Sequence, residues 1–156
     1  MRVLLIDDEK PCLEELSYLL GKYPDVEILE MYTHSRQALV ALESVQPDAL
    51  FLDMDMPSPN GMELALHIQS LYAGIMIVFV TAYPQYALDS FKAFPLDYLL
   101  KPIKEARLDS TIEQMRKQFT LLHPVGELQR DIKIRCFGRF AVMTDHEIKQ
   151  LLQRKQ

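Results

Sequence analysis

Five short apolar runs, Val3–Ile6, Val26–Leu29, Ala49–Leu52, Ile75–Val80 and Tyr98–Leu100, alternate along the chain with segments of helical periodicity. Strands that are nearly all apolar have no polar face to offer water. They must be covered on both sides, as in a parallel sheet crossed by helices. The intervening segments carry apolar residues three and four apart: Leu13/Leu16/Leu20, Ala38/Leu42/Val45, Leu64/Ile68/Leu71 and Ala87/Leu88/Phe91. That spacing places each set on one helical face. A fifth helix is expected from about Lys104 to Leu122, with Leu108, Ile112, Met115, Phe119 and Leu122 on one stripe. Gly21 and Gly74 fall where the first and third helices should end, and Pro24 and Pro47 precede strands. Ser35 is the expected N-cap of the second helix. Five such units predict a doubly wound α/β domain, with right-handed crossovers placing helices on both faces of the sheet.

Composition narrows the setting. The longest nearly apolar stretch, Ala73 to Val80, is far short of the roughly 20 residues of a membrane helix. The opening MRVLLIDDEK turns acidic after four apolar residues, which is not a secretory signal pattern. Two cysteines, Cys12 and Cys136, are too few and too far apart for a disulfide framework or a zinc site. A cytoplasmic protein is expected. The net charge of −5 is uneven, because residues 131–156 hold 6 Lys+Arg against 3 Asp+Glu while the body is acidic. Only the tail has a sign that suits nucleic acid, although a solvated surface explains three extra charges equally well.

The tail also changes pattern. Ile132, Ile134 and Cys136 alternate with Lys133 and Arg135, Phe140 and Val142 continue the rhythm after Gly138, and Ile148, Leu151 and Leu152 follow a polar turn. Alternation of this kind predicts half-exposed strands of an antiparallel element. About 25 residues are too few for an independent core.

Ligands of an open parallel sheet bind outside the carboxyl ends of its strands. Here strand 1 ends in Asp7-Asp8, strand 3 in Asp53, strand 4 in Thr81 and strand 5 in Lys101-Pro102. Each alone has a plain explanation: Asp7 or Asp8 as a cap for the helix near Lys10, Asp53 as a turn acid, Thr81 as a cap for a helix near Gln85, Lys101 as a solvated charge. Their coincidence at four of five strand ends is the signal. Two carboxylates about 5 Å apart repel by roughly 3 kcal/mol at an effective dielectric near 20. Three of them call for a compensating cation. Lys101 supplies one charge and a hard, oxygen-seeking divalent ion such as Mg²⁺ suits the remainder. A carboxylate beside Mg²⁺ and a lysine can act as a nucleophile toward phosphorus, with metal and lysine neutralising the transferring group and Thr81 donating to one of its oxygens.

The segments LLIDDEK, LFLDMDMPSPNG and VTAYPQYALDSFKAFPLDYLLKPI, in that order and spacing, closely resemble the receiver domain of two-component response regulators. The resemblance covers roughly residues 1–120. It implies a flavodoxin-like, five-stranded parallel sheet in the order 2-1-3-4-5, followed by a short β-rich extension. Asp53 then corresponds to the phosphoacceptor, Asp8 to the direct Mg²⁺ ligand, Asp7 to the outer acid, and the backbone carbonyl of Asp55 to the remaining protein ligand. Lys101 would pair with the phosphate, and its bond to Pro102 would be cis. Thr81 and Tyr98 would form a switch pair that alters the face made by the fourth helix, fifth strand and fifth helix, a face also suited to homodimerisation. Without the resemblance, Tyr98 reads as a core tyrosine with a wet hydroxyl. The acid at Asp55 stands where the family tunes the loss of the acyl phosphate. His34, His67, His123 and His146 show no ligand spacing, and Cys12 reads as a helix residue.

IKIRCFGRFAVM, with a terminal QRKQ, resembles the opening of the winged-helix output domain in SARP-type (antibiotic-regulator-like) activators. Arg154-Lys155 would stand where the first helix of that domain begins; on that resemblance the recognition helix would be absent and DNA would be read only by a missing part. The expected organisation is a receiver over 1–120, a linker over 121–131 and an incomplete output domain over 132–156, or else a β-hairpin appendage. The implied function is a phosphoacceptor without enzymatic turnover of its own beyond self-phosphorylation and self-dephosphorylation. It would be charged by a sensor histidine kinase and coupled to transcription, with no membrane involvement. Two alternatives differ in class. Asp53-x-Asp55 after an apolar strand resembles haloacid-dehalogenase phosphohydrolases, but Pro57 interrupts the turn, that motif normally opens a chain, and no cap domain is present. A receiver-like interaction module that is never phosphorylated is the other, against which stands the presence of all five site positions.

Overall fold

The computed structural model describes residues 1–57, 59–72, 74–85 and 93–124, and the backbone of 133–137 and 139–143. Its contacts divide into two units, Met1–Leu122 and His123–Gln156. The first contains β1 (Arg2–Ile6), α1 (Lys10–Leu20), β2 (Glu27–Tyr32), α2 (Ser35–Val45), β3 (Ala49–Asp53), α3 (Gly61–Leu71), β4 (Met76–Thr81), β5 (Asp97–Leu100) and α4 (Glu105–Leu122). Every strand pairing is parallel and the order is β2-β1-β3-β4-β5, as expected of the doubly wound sheet. The helix expected around Ala87, Leu88 and Phe91 lies outside the described residues, so α4 is the fifth helix of the sequence reading.

Alternation along the strands divides the core into two layers. Val3 and Leu5 of β1, Phe51 of β3, Val78 and Val80 of β4 and Leu99 of β5 pack against Leu13, Leu16 and Leu20 of α1 and Leu108, Ile112 and Met115 of α4. Leu4, Ile6, Leu50, Leu52, Ile77 and Phe79 point the other way, onto Ala38 and Leu42 of α2 and Leu64, Ala65 and Ile68 of α3. This two-sided burial explains the unbroken apolar runs. β2 departs from it because it is an edge strand: past Leu29, Glu30 and Met31 are exposed and Tyr32 is half-buried. The α4 stripe is buried through Met115, partly buried at Phe119 and exposed at Leu122.

Two expectations at helix ends are corrected. The N-cap of α2 is His34, which makes no side-chain capping bond, and Ser35 is already the first helical residue. Asp7 does not cap α1 directly. Its Oδ1 accepts from the backbone N–H of Glu9 at 2.9 Å, and Glu9 is the cap residue.

The second unit holds β6 (Lys133–Phe137) and β7 (Arg139–Met143), paired antiparallel with Lys133 opposite Met143 and Phe137 opposite Arg139. The antiparallel element read from the alternation is therefore present. Ile132, Gly138, Ile148, Leu151, Leu152, Arg154 and Lys155 lie outside the described residues.

Two local arrangements fix the strand ends that matter later. At the start of α3 the Asn60 and Glu63 side chains cap each other's backbone N–H at 2.9 and 3.0 Å, and the Gly61 N–H donates to the Met54 carbonyl at 3.2 Å. A Cβ on Gly61 would lie 2.0 Å from the Asp53 carbonyl oxygen and 2.7 Å from the Met54 Cα. Backbone cannot yield as a side chain can, so only glycine permits α3 to begin this close to the end of β3. At β5, the Asp97 carboxylate accepts from both terminal nitrogens of Arg107, from the Thr111 hydroxyl at 2.6 Å and from the Tyr98 N–H at 2.8 Å. These bonds tie β5 to α4. Burial alone would raise the Asp97 carboxyl, but the donors outweigh it and hold the group below its ordinary value.

Two outcomes follow. Gly61→Ala is expected to lower unfolding stability by about 2 kcal/mol or more, seen as a lower urea midpoint at unchanged slope; an unchanged midpoint would mean that the close approach carries no energy. For Asp97, a depressed folded value means that its stabilisation is complete above the unfolded carboxyl value of about 3.9 and fades as pH falls through the lower folded value. Native protein should therefore lose more stability between pH 5 and acid than Asp97→Asn does, measured by urea unfolding across that range. Parallel curves would remove Asp97 from the acid transition.

Candidate functional site

The sheet register brings the sequence-marked residues to one edge. Ile6 pairs with Leu52, Asp53 with Val80 and Thr81 with Leu100, so Asp7, Asp53, Thr81 and Lys101 follow or end adjacent strands at nearly the same level. The Lys101 N–H donates to the Thr81 carbonyl at 2.9 Å, and the Asp7 N–H to the Tyr32 carbonyl at 3.1 Å. The Lys101–Pro102 peptide is cis, as the resemblance implies.

A cavity of about 320 Å³ opens above these ends, walled by Asp8, Glu9, Asp53, Asp55, Ala82, Tyr83 and Lys101. Asp7 and Asp53 are 5% and 4% exposed, whereas Asp8 and Asp55 are open to solvent. One carboxylate oxygen from each of Asp7, Asp8 and Asp53 lies within 4.8 Å of the other two. Lys101 Nζ is 2.6 Å from Asp7 Oδ2 and 3.6 Å from Asp53 Oδ1. Asp53 Oδ1 is buried and has no hydrogen-bond partner among the described residues.

The electrostatics follow from that geometry. Burial pushes the Asp53 carboxyl up to about 6; the Lys101 charge opposes this and the Asp7 and Asp8 carboxylates add to it. Burial would lower Lys101, but its hydrogen bond to Asp7 and the charge of Asp53 raise it above its ordinary value. The two shifts are compatible because the lysine makes its short contact with Asp7, leaving Asp53 only partly compensated.

These residues fit a hard divalent cation. All three donors are carboxylate oxygens, and the Asp53 carboxylate has a buried oxygen without a hydrogen-bond partner among the described residues. A second donor group, Asp7, Glu9 and Cys12, shares Asp7. There the Cys12 Sγ donates to Glu9 Oε2 at 3.2 Å and burial pushes its thiol up to about 11, away from the thiolate; Cys12 is a residue of α1, as expected. The described histidines join neither group, and His146 lies outside the described residues.

Thr81 is fully buried and is not part of the cavity wall. Its Oγ1 accepts from the Tyr83 N–H at 3.3 Å, while the Tyr98 hydroxyl donates to the Tyr83 carbonyl at 2.5 Å. Thr81 and Tyr98 thus hold opposite sides of one residue. Sequence reasoning missed Tyr83, which no motif marks. It also missed Glu9, whose only signal was its place behind two acids, and Gly61, visible only as the glycine of the PNG turn.

The comparisons with known proteins agree with this geometry. The family model described as response regulator receiver domain matches residues 3–113. An uncharacterized response regulatory protein of Yersinia pestis is 34% identical over 97% of this chain and 65% of its own length. The transcriptional regulatory protein BtsR of Escherichia coli is 36% identical over 99% of this chain and 63% of its own. The sensory transduction protein LytT of Bacillus cereus is 40% identical over 76% of this chain and 48% of its own. The chain thus spans about half to two thirds of the length of these relatives. Among solved structures, the response regulatory domain of MrkE from Klebsiella pneumoniae superposes with a TM-score of 0.69 at 32% identity, over 80% of this chain and all of that one. The phosphohydrolase alternative gains no support from these matches. The fold, the strand-end residues and the family match lead to one assignment: the chain belongs to the response regulator receiver family of two-component systems.

Proposed function

We propose that Asp53 is the phosphoacceptor of this receiver, charged from a phosphohistidine of a sensor histidine kinase. The observation that carries the reading is the buried Asp53 Oδ1, without a hydrogen-bond partner among the described residues, in a cluster with the Asp7 and Asp8 carboxylates and with Lys101 Nζ 3.6 Å away. In the transfer, the Asp53 carboxylate forms the new O–P bond as the N–P bond of the phosphohistidine breaks, and the leaving imidazole takes up a proton. Lys101 neutralises charge on the phosphoryl oxygens. Asp8, Asp53 and the Asp55 carbonyl would hold Mg²⁺, with Asp7 behind them orienting Lys101 through their 2.6 Å contact. When bound, the ion supplies positive charge to the acidic cluster and to the phosphoryl oxygens.

Thr81 and Tyr98 form the proposed switch. A phosphoryl oxygen that draws the Thr81 hydroxyl away from the Tyr83 N–H would free one side of Tyr83, and Tyr98 bonds the other side. The change would be passed to the face that includes β5 and α4, which is also the proposed homodimer surface. We assign residues 1–120 to the receiver, 121–131 to a linker and 132–156 to the beginning of an output domain that controls transcription. Relatives named as regulators that align across 97–99% of the chain support a regulator. The SARP-type reading of the output domain rests on the sequence resemblance of IKIRCFGRFAVM and the terminal QRKQ alone. The reading as a whole places the protein in the cytoplasm, with DNA contacted only beyond this chain; among the described residues no helix is long and apolar enough to cross a membrane.

Intact mass after incubation with acetyl phosphate and Mg²⁺ tests the acceptor. The native chain should gain one phosphoryl group and Asp53→Asn none. A native chain that binds Mg²⁺ yet gains no mass would favour the interaction-module alternative instead.

A further inference from the structure

The bonds at the start of β5 reach further than an anchor between strand and helix requires. β5 is the last strand of the sheet, so one of its edges has no neighbouring strand. At Tyr98 both backbone polar groups are met by side chains. The N–H donates to Asp97 Oδ1 at 2.8 Å, and the carbonyl accepts from Arg107 Nη2 at 3.3 Å. The same guanidinium donates from Nη1 to Asp97 Oδ2 at 2.8 Å and from Nη2 to Asp97 Oδ1. One planar group in the first turn of α4 thus grips the Asp97 carboxylate and the Tyr98 main chain together.

This is a stronger arrangement than an ordinary surface ion pair. It is bidentate, the Asp97 side chain is only 9% exposed, and the buried Thr111 hydroxyl donates to the same carboxylate at 2.6 Å. Lysine could not reproduce it, because an ammonium is a point charge without the two-sided fork.

From the other direction, the Tyr98 hydroxyl donates to the Tyr83 carbonyl at 2.5 Å, and the Tyr83 N–H donates to Thr81 Oγ1 at 3.3 Å. Hydrogen bonds therefore run from Thr81 through Tyr83 and Tyr98 to Arg107 and Asp97, and on to Thr111. Tyr98 is held at its N–H, its carbonyl and its hydroxyl. A cavity of about 490 Å³, lined by Pro84, Tyr98, Lys104 and Arg107 among others, lies beside it and leaves room for rearrangement. A tyrosine with a loose main chain would absorb the loss of its hydroxyl bond locally. With its main chain gripped from α4, the adjustment has to be shared with that helix.

We propose that Arg107 is a positioning residue that couples the acidic site to α4, an inference that rests on the reading of Asp53 as phosphoacceptor. Arg107 keeps the Tyr98 main chain fixed to α4, so that a change at Thr81 and Tyr83 reaches the helix.

Hydrogen exchange of the full chain, read by mass spectrometry with and without acetyl phosphate and Mg²⁺, tests this. Intact mass of the same samples records the phosphoryl group separately. Arg107 lies outside the wall of the acidic cavity, so Arg107→Gln should gain the phosphoryl mass as the native chain does. In the native chain, phosphorylation should change exchange over residues 107–115 by at least about threefold. In Arg107→Gln and in Arg107→Lys that ratio should fall to about one. Arg116→Gln, which removes the exposed pairing of the same helix with Asp25 and Glu113, should keep the native ratio. A purely structural role for Arg107 would speed exchange in both states and leave the ratio intact. A native ratio in either Arg107 variant, an equal loss in Arg116→Gln, or an unresponsive native α4 despite the mass gain would overturn the proposal. A native chain that gains no mass would remove the acceptor reading and this coupling with it.

Discussion

Mutual repulsion among Asp7, Asp8 and Asp53 is the constraint around which the molecule is arranged. Their oxygens approach within 4.8 Å, and at an effective dielectric near 20 each charged pair at that range is unfavourable by about 3 kcal/mol. Loosely held acids would swing apart. These follow β1 and end β3, two strands buried on both faces at the centre of the sheet, so separating them would disturb both core layers. The stress is met instead by Lys101, which bonds Asp7 closely and Asp53 at longer range. Asp53 keeps the remainder, expressed as a carboxyl pushed up to about 6 and an oxygen without a partner. A divalent cation is what such a site would favour, and a carboxylate with few bonds to break is what phosphoryl transfer would use.

Other features hold the acids in place. Gly61 lets α3 start against the Asp53–Met54 backbone, and the Asn60–Glu63 capping box fixes that start. Asp97 binds β5 to α4 through Arg107 and Thr111, four residues before Lys101. Between the two anchors, Tyr83 is bonded by Thr81 on its N–H and by Tyr98 on its carbonyl.

The fold was legible because a sheet covered on both faces writes itself as unbroken apolar runs, as in Ala49–Leu52 and Ile75–Val80. The site was legible because chemistry at the carboxyl ends of strands needs only the next residue, as with Asp53 and Lys101. What lay hidden depended on three-dimensional neighbours. Ser35 has the composition of an N-cap, yet the chain enters α2 one residue earlier, so His34 takes that position and the serine turns inward. Gly61 looked like one more turn glycine, since sequence cannot say that a carbonyl stands 2.0 Å from its missing Cβ. The partnership of Asp97 with Arg107 and Thr111 spans a loop and a helical turn, and Tyr83 acts through its backbone, which leaves no trace in residue type.

The account turns on whether Asp53 is held in a site that disfavours its own charge and favours a divalent cation. Urea unfolding of the native chain and of Asp53→Asn, each with and without Mg²⁺, tests this directly. Without the ion, Asp53→Asn should be the more stable by about 1–2 kcal/mol, because it removes an incompletely compensated buried carboxylate. Mg²⁺ should raise the stability of the native chain and raise that of the variant much less. Equal stability of the two without the ion, together with no response of the native chain to Mg²⁺, would contradict the account.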